Sequence, residues 1–420
     1  MTTVPEHPYL ADTFARLLAA PTRFMAPPEW SEPGSRRVDF SAMSFESRAV
    51  HLGHHPEQHN GSVTLPVYLT TSFEQVAERS WDYSRIANPS RAALEECLAG
   101  LDHGSCATAT ASGMAATTAA VLTACRPGDT VVLGERTYGG VWELFSGLLS
   151  GWGIETEVID LSDPGALEAG FPAGTRLVWA ETPANPDLRL VDIAATADVA
   201  HRHGALLGVD STIGSPYLQT PLDLGADIVV HSTTKYLAGH SDVTGGVVVT
   251  NDAELDFGIR HTVSVTGSSA SPMDSWLTFR GVKTLPARME RICASAQRIA
   301  EALAEDRRVS AVHYPGVATG AQAELAARQM HGGYGGVLAI EVPGGGEAAR
   351  RVLANVRLFT SAVSMGGVES LIQQPATMTH VNTKGTAIEI PEGMLRLSIG
   401  LEDPAELLAD LGRAIDAAGS

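Results

Sequence analysis

The sequence predicts an α/β protein, in which a mostly parallel sheet has helices on both faces and a smaller α+β domain follows at the C-terminal end. Two observations carry this prediction. From about Thr108 onward, short apolar runs alternate with longer runs that have apolar residues at helical spacing. After Arg280 the pattern changes to one long helical run, followed by mixed strands and helices. Strands that are separated by helices pair in parallel and are covered on both faces.

The predicted strands of the larger domain are short and apolar, and they are Thr130–Leu133, Arg176–Ala180, Leu206–Val209, Asp227–Val230 and Gly246–Thr250. Between them a helix is predicted over Ile193–His203, because apolar residues recur there at helical spacing and Gly204 follows. In the smaller domain the pattern predicts a helix over Leu285–Ala304, a strand over Val337–Val342 and a closing helix over Pro404–Ala418.

The N-terminal part of the chain has a different composition. Residues 1–45 are rich in proline, serine and charge, and we expect an extension there with a short helix at Thr13–Ala20. Farther along, Gly344-Gly-Gly346 predicts a loop. We therefore expect four units along the chain: the extension at 1–45, an N-terminal segment at 46–87, a large domain at 88–286 and a C-terminal α+β domain at 287–420.

Composition narrows the class of protein. The chain has 420 residues, of which 44% are hydrophobic and 18% charged, as in an ordinary globular protein with more than one domain. Its formal net charge of −19 argues against nucleic acid or an anionic membrane as partner. No segment has the apolar length of a membrane span, and the N-terminus has no secretory pattern. The four cysteines lack metal-binding spacing, so we expect reduced thiols, no metal and a cytoplasmic location.

Lysine is rare in this chain, which contains only Lys235, Lys283 and Lys384. Lys235 follows a predicted strand and is preceded by the hydroxyl residues Ser232, Thr233 and Thr234. A lysine amine can condense with an aldehyde, and the hydroxyl groups can donate hydrogen bonds to phosphate oxygens. A surface lysine in a polar loop would give the same local sequence. The rest of the chain favours the first interpretation, an aldehyde cofactor with a phosphate tail.

Further polar residues fall at the ends of predicted strands, where open parallel sheets bind their ligands. Asp210 closes one strand, and Asn185 follows the strand that ends at Glu181. Although a strand-terminal aspartate is often only a turn or cap residue, Asp210 could also keep a pyridine nitrogen protonated.

Two glycine-containing motifs could complete such a site. Ser112-Gly-Met114 opens a helix, and the free N–H groups there can bind phosphate, although Ser-Gly is also a common helix cap. Tyr138-Gly-Gly140 places an aromatic ring on a turn, where it could stack on a flat cofactor or simply pack against the protein.

Longer motifs accompany these residues between Arg48 and Asp403: Pro66–Phe73, Tyr83–Ser90, Glu181–Pro186, Arg280–Leu285, Ser364–Leu371, Pro375–His380 and Leu395–Ser398. Together with the lysine motif, they resemble the Cys/Met-metabolism family of pyridoxal-phosphate enzymes of fold type I. This family includes cystathionine γ-synthase, cystathionine γ-lyase and methionine γ-lyase. The resemblance covers all of the chain except the N-terminal extension.

The resemblance implies pyridoxal 5′-phosphate as cofactor and a role for each matching residue. Lys235 would hold the cofactor and move protons, and Tyr138 would stack on the ring and act as acid or base near the leaving group. Asp210 would pair with the pyridine nitrogen, and Asn185 would contact the ring hydroxyl. The remaining cofactor residues would be Ser112, Gly113, Met114, Ser232 and Thr234, with Tyr83 and Arg85 from a neighbouring subunit. Ser364 and Arg396 would bind the substrate carboxylate.

The sequences of these motifs are most similar to those of methionine γ-lyase, but the residues expected on the substrate side of the active site differ from those of that enzyme. Gly140 stands where that enzyme has its active-site cysteine, and Val363 stands where members that handle cystathionine have a glutamate. The chain also departs from the family pattern at other positions. It lacks the Lys-Asp pair expected near Val263-Ser264, it has Ser211 after the strand-end aspartate and Gln374 before the Pro375 motif, and its segment Thr383–Glu392 is short. We therefore expect both Val363 and Gly140 to shape substrate binding.

The resemblance implies a γ-elimination on a methionine-like, homocysteine-like or other γ-substituted L-amino acid, through a vinylglycine-type intermediate. The alternative is γ-replacement, of the cystathionine γ-synthase or O-acylhomoserine sulfhydrylase type, in amino-acid biosynthesis. In either case we expect a small-molecule amino-acid substrate and a homotetramer of two catalytic dimers with shared active sites.

Overall fold

The computed structural model describes residues 40, 42–55, 61–74, 81–386 and 388–419, so the helix predicted at Thr13–Ala20 lies outside the described residues. The strands of the larger sheet are Cys106–Thr110 (β1), Thr130–Gly134 (β2), Glu155–Ile159 (β3), Thr175–Glu181 (β4), Leu206–Asp210 (β5), Ile228–His231 (β6) and Gly246–Thr250 (β7). Their spatial order is β1-β7-β6-β5-β4-β2-β3. β7 is antiparallel to both of its neighbours and the other pairs are parallel. The prediction of a mostly parallel sheet is confirmed.

Successive residues of these strands are buried on opposite faces of the sheet. Val178 belongs to a core that includes the helices Pro89–Leu101 and Ile193–Arg202. Trp179, the next residue, belongs to a second core that includes the helix Gly113–Ala124. Because both faces are covered, the strands are apolar on both sides, which explains their continuous hydrophobic runs.

The smaller sheet has the strands Ala311–His313 (β8), Val337–Glu341 (β9), Thr360–Ser361 (β10), Leu371–Gln373 (β11) and Met394–Ser398 (β12). Their order is β10-β11-β12-β9-β8, and only the first pair is parallel. A separate apolar core lies between this sheet and the helices Gly345–Asn355 and Pro404–Gly419. The predicted smaller α+β domain is confirmed.

The remaining α-helices of the described residues are Phe45–His51, Gly139–Glu143 with a π-helical continuation at Leu144–Leu149, Pro164–Gly170, Ser215–Leu218, Ala253–Thr266, Pro272–Val282, Leu285–Ala304, Gly320–Gln329 and Pro375–Met378. Within these residues, no helix combines the length and apolar character needed to cross a membrane.

One local prediction is wrong. Gly344-Gly-Gly346 is not simply a loop, because a helix begins at Gly345. Gly344 precedes it with a φ of 96°, a left-handed conformation that favours glycine. The helix is held in place by Ala348, Ala349 and Val352, which are buried in the core of the smaller domain.

Candidate active site

Lys235 lies at the wall of a cavity of about 290 Å³ at the carboxyl ends of β4, β5 and β6. Nearly all of the residues that were singled out from the sequence line this cavity. They are Ser112, Gly113, Met114, Tyr138, Asn185, Asp210, Ser232, Thr234, Lys235, Val363, Ser364 and Arg396. Residues from both sheets therefore meet at one site, as the resemblance implied.

The Lys235 amine is partly buried, and Ser364 is its hydrogen-bond partner among the described residues. Its Nζ donates a hydrogen bond to Ser364 Oγ over 2.8 Å. Burial lowers the pKa of Lys235 to about 8, and the positive charge of Arg396 adds to this effect, while Asp210 opposes it. A lysine with a lowered pKa is more often neutral near pH 8, which is the form that attacks an aldehyde.

Asp210 ends β5 inside the cavity, with its Oδ1 accepting from the Thr212 amide over 3.0 Å. Burial raises the pKa of Asp210, whereas the hydrogen bonds of Thr212 and the nearby positive charges of His231 and Lys235 act in the opposite direction. Behind the site, His231 is fully buried against Asp102, with Nε2 2.9 Å from a carboxylate oxygen. A cationic partner for Asp210, such as a protonated pyridine nitrogen, would favour its ionised form.

The first turn of the helix Gly113–Ala124 faces the loop that precedes Lys235. Ser112 caps this helix through its Oγ, which accepts from the Ala115 amide over 3.1 Å. A Cβ at Gly113 would lie 2.7 Å from Ser232 Cβ, so only glycine permits this close approach. Free N–H groups at a helix start, next to Ser232 and Thr234, make a suitable cradle for a phosphate group.

Arg396 lies on β12 and is 2% exposed. Its Nη1 donates to Asn185 Oδ1 over 2.9 Å, and its Nη2 donates to the Ser364 carbonyl over 2.6 Å. With the Gln373 amide oxygen oriented toward the guanidinium, that oxygen accepts from both terminal nitrogens at 3.1 Å. Burial lowers the pKa of Arg396 to about 10. These contacts fix the plane of the guanidinium, which suits two-point binding of a carboxylate.

Ser364 has a φ of 90°, which is rare for a residue other than glycine. In this conformation the Ser364 hydroxyl accepts a hydrogen bond from Lys235 and the Ser364 carbonyl accepts one from Arg396. Ser364 therefore links the lysine to the arginine. Strained conformations of this kind occur frequently at functional sites.

Tyr138 is 40% exposed and presents its ring to the cavity. Its backbone N–H donates to Glu181 Oε2 over 2.8 Å. The ring of His380 meets the Tyr138 ring edge-on, with the centroids 6.4 Å apart. Burial and the charge of Arg396 lower the pKa of His380 to about 4, so this imidazole is neutral at pH 7.

Gly140 does not line the cavity. A Cβ at this position would lie 2.6 Å from Tyr138 Cε1, so the bare Cα makes room for the tyrosine ring. The prediction that Gly140 shapes substrate binding therefore requires an effect through the position of Tyr138.

We expect Gly140→Ala to push the Tyr138 ring from its place and to lower kcat/KM by about 10-fold, the size of one misplaced contact in the transition state. The matched control is Gly147→Ala in the following π-helical turn, where a Cβ would meet nothing within 4 Å. Steady-state kinetics of both variants check this. Equal kcat/KM in the two variants would show that the ring does not depend on Gly140.

Tyr83 and Arg85 lie apart from the residues that line the cavity. Arg85 Nη1 donates to the Ser264 carbonyl over 2.7 Å, and its guanidinium carbon lies 5.5 Å from the centroid of the Tyr83 ring. Tyr83 is 39% exposed. This position within one chain is compatible with the expected contribution to the site of a neighbouring subunit.

Several residues of the site were not assigned a role from the sequence. Glu181, Thr212, Thr379 and Met365 line the cavity, and Gln373 holds Arg396. Glu181 could have been noticed as a second carboxylate at a strand end next to Asp210. Thr212 contacts Asp210 within the larger domain, and Gln373 pairs with Arg396 on the neighbouring strand of the smaller domain. The places of Met365 and Thr379 at the cavity depend on how the two domains pack, which no local pattern shows.

A lysine amine, a strand-end carboxylate and a helix start that can bind phosphate, all at one edge of a mostly parallel sheet, are the features of an enzyme that uses pyridoxal phosphate. The residues fit this cofactor in their chemistry, because the close approach of Gly113 to Ser232 leaves a cradle for a phosphate group, and Lys235 and Asp210 line the same cavity. The family model for Cys/Met metabolism PLP-dependent enzymes matches residues 46–416. The chain belongs to this family, and its cofactor is pyridoxal 5′-phosphate.

Individual relatives agree with this assignment. The chain is 44% identical over 373 residues to cystathionine γ-synthase of Mycobacterium tuberculosis (strain H37Rv), covering 88% of this chain and 96% of that protein. It is 43% identical over 391 residues to L-methionine γ-lyase of Pseudomonas putida, covering 89% and 97%. The crystal structure of metB from Corynebacterium glutamicum superposes with a TM-score of 0.88 and 42% identity, covering 90% and 99%.

Proposed function

We propose that this enzyme catalyses γ-elimination on a methionine-like, homocysteine-like or other γ-substituted L-amino acid. The observation that carries this proposal is Val363, an apolar residue that lines the cavity next to Ser364 and is 53% exposed. The carboxylates among the described lining residues are Glu181 and Asp210, and both accept backbone hydrogen bonds. Among the described lining residues, Glu181 thus binds two backbone amides and Asp210 is assigned to the pyridine nitrogen, so neither is assigned to a distal amino group such as that of cystathionine.

Bound pyridoxal phosphate supplies an aldehyde that condenses with amines and a ring that withdraws electrons from the substrate Cα. Lys235 Nζ would hold the cofactor in the absence of substrate and would take the proton from the substrate Cα. Ser364 Oγ accepts a hydrogen bond from Lys235 Nζ and so restrains the position of this nitrogen. Arg396 binds the substrate carboxylate and fixes the orientation of the substrate, while the Tyr138 hydroxyl acts as acid or base near the leaving group.

The other cofactor residues have supporting roles in this proposal. Asp210 holds a proton on the pyridine nitrogen, and Asn185 contacts the ring hydroxyl. The phosphate is bound by Ser112, Gly113, Met114, Ser232 and Thr234. The geometry supports these assignments because every one of these side chains lines the same cavity.

The alternative is γ-replacement, in which a nucleophile adds in place of the leaving group. The 44% identity to a cystathionine γ-synthase favours it. The two reactions are separated by incubating the enzyme with L-methionine, L-homocysteine and an O-acylhomoserine, each with and without a thiol. Release of 2-oxobutanoate and ammonia without a thiol supports γ-elimination. Consumption of the amino acid only when a thiol is present, with formation of a thioether, would establish γ-replacement.

We expect Val363→Glu to improve the handling of cystathionine. The new carboxylate would stand at the mouth of the cavity, where it could pair with the distal ammonium group, and such a pair at a partly exposed position contributes up to about 1 kcal/mol. The measurement is kcat/KM for cystathionine and for methionine, with an expected gain of up to about 5-fold for cystathionine alone. Val363→Gln is the uncharged control. An equal gain with Gln would show that charge is not the cause.

We also propose a homotetramer of two catalytic dimers, in which Tyr83 and Arg85 complete the site of the neighbouring subunit. Their position away from the cavity of their own chain supports this arrangement. The buried, unpaired thiols of Cys97, Cys125 and Cys293 support a cytoplasmic location. Light scattering together with an activity assay tests the assembly, because a fully active monomer would exclude shared sites.

A further inference from the structure

We propose that Glu181 is a positioning residue that sets the relative placement of the aromatic ring of Tyr138 and the carboxylate-binding Arg396. This inference deepens the proposed function and rests on it for the roles of Tyr138 and Arg396. Glu181 itself was recognised from the sequence only as the end of a strand.

The two oxygens of this carboxyl group bind two different segments of the site. Glu181 is the last residue of β4 and is 7% exposed. Its Oε2 accepts from the Tyr138 amide over 2.8 Å. Its Oε1 accepts from the Asn185 amide over 2.9 Å. One side chain therefore ties the segment that carries the tyrosine to the segment that carries the asparagine.

The hydrogen bond from Asn185 links Glu181 to the residues that are proposed to bind the substrate carboxylate. Asn185 Oδ1 accepts from Arg396 Nη1 over 2.9 Å, and Arg396 Nη2 donates to the Ser364 carbonyl. A continuous chain of hydrogen bonds thus connects Glu181 to the arginine of the smaller domain. Because the other oxygen holds Tyr138, a change in Glu181 would move the ring and the guanidinium relative to each other.

A purely structural role does not account well for a carboxylate at this position. Glu181 is the register partner of Asp210 on the neighbouring strand, so a buried and a half-buried acidic group lie side by side. Burial and the negative charge of Asp210 raise the pKa of Glu181 well above its usual value. Placing a like charge there costs stability, and such costs are typical of groups that are retained for function. The two backbone amides act in the opposite direction, because both donate to the carboxylate and so favour its ionised form.

The discriminating variant is Glu181→Gln, which keeps the shape of the side chain. Its amide oxygen can accept from one backbone N–H, but its NH₂ group would face the other N–H, donor against donor. The matched control is Glu135→Gln, in the same part of the chain, where the carboxylate pairs with Arg136 and is not among the residues that line the cavity. Thermal unfolding of both variants shows whether each remains folded.

The ligand used for the test is L-norleucine, which has the length of methionine but no leaving group. Its binding is followed by the change in visible absorption of the bound cofactor, and pyridoxal phosphate affinity is measured separately by titration of the cofactor-free protein. We expect Glu181→Gln to raise the Kd of L-norleucine by about 10- to 100-fold, the effect of one lost hydrogen bond to a charged group. The Glu135→Gln variant should bind L-norleucine with the same Kd as the parent protein.

Glu181→Asp provides a second test, and it serves alone if the glutamine variant does not fold. Its carboxylate is retained but is one methylene too short to reach both amides, so weaker L-norleucine binding is again expected. The proposal is overturned if either folded variant binds L-norleucine as tightly as the parent, even when its thermal stability has fallen. Absence of 2-oxo acid release by the parent enzyme would contradict the proposed function instead, and would leave this binding comparison intact.

Discussion

Lys235→Ala is expected to lower kcat by at least about 10⁴-fold, because the variant loses both the amine that holds the cofactor and the base that moves the Cα proton. No other lysine can take its place, since Lys283 donates to the Val50 carbonyl elsewhere and Lys384 is exposed beside Glu392. The measurement is release of 2-oxo acid from the preferred substrate, together with the visible absorption of the protein after it has been incubated with pyridoxal phosphate.

Lys384→Ala is the matched control for this experiment. Lys384 forms a solvent-exposed ion pair, which contributes little to stability, so its removal should leave both turnover and absorption unchanged. A Lys235→Ala protein that retained more than a few per cent of parental turnover would contradict the assignment of this lysine.

Arg396→Lys is expected to raise KM by about 10- to 100-fold, with a smaller change in kcat. A lysine ammonium cannot reproduce the planar two-point contact of a guanidinium with a carboxylate. The substitution also leaves Asn185 Oδ1 and the Ser364 carbonyl without the donors that they now have, at a buried position. Initial rates over a range of substrate concentrations separate the two kinetic constants.

Arg350→Lys is the corresponding control, because Arg350 pairs with Glu347 on an exposed helical surface. The two variants should differ in KM even if their thermal stabilities are similar. If Arg396→Lys lowered kcat alone and left KM unchanged, the arginine would not be the main carboxylate-binding group.

Much of the fold could be predicted because the central strands are buried on both faces. The runs at β2, β4, β5, β6 and β7 are continuous and apolar, and each was placed within one or two residues. β1 and β3 were not predicted. β1, Cys106–Thr110, has small residues and threonines, while β3, Glu155–Ile159, lies at the edge of the sheet and has three polar residues before its two apolar ones. Neither has the composition of a buried central strand.

The cofactor side of the site was more predictable than the substrate side. Lys235, Asp210 and Ser232 follow strands, and strand ends converge in a parallel sheet, so their proximity follows from the topology. The arrangement of Arg396 with Asn185 depends instead on the contact between two domains, across 211 positions of sequence. The position of Gly140 beneath the Tyr138 ring depends on the local path of a short helix, which the sequence alone did not reveal.

The most direct test of the central claim is to find which lysine carries the cofactor. The purified enzyme is reduced with borohydride, which makes the bond between lysine and cofactor permanent, and its peptides are mapped by mass spectrometry. We predict a pyridoxyl-phosphate group on the peptide that contains Lys235 and on neither of the other two lysines. Modification of Lys283 or Lys384 instead would contradict the active site described above.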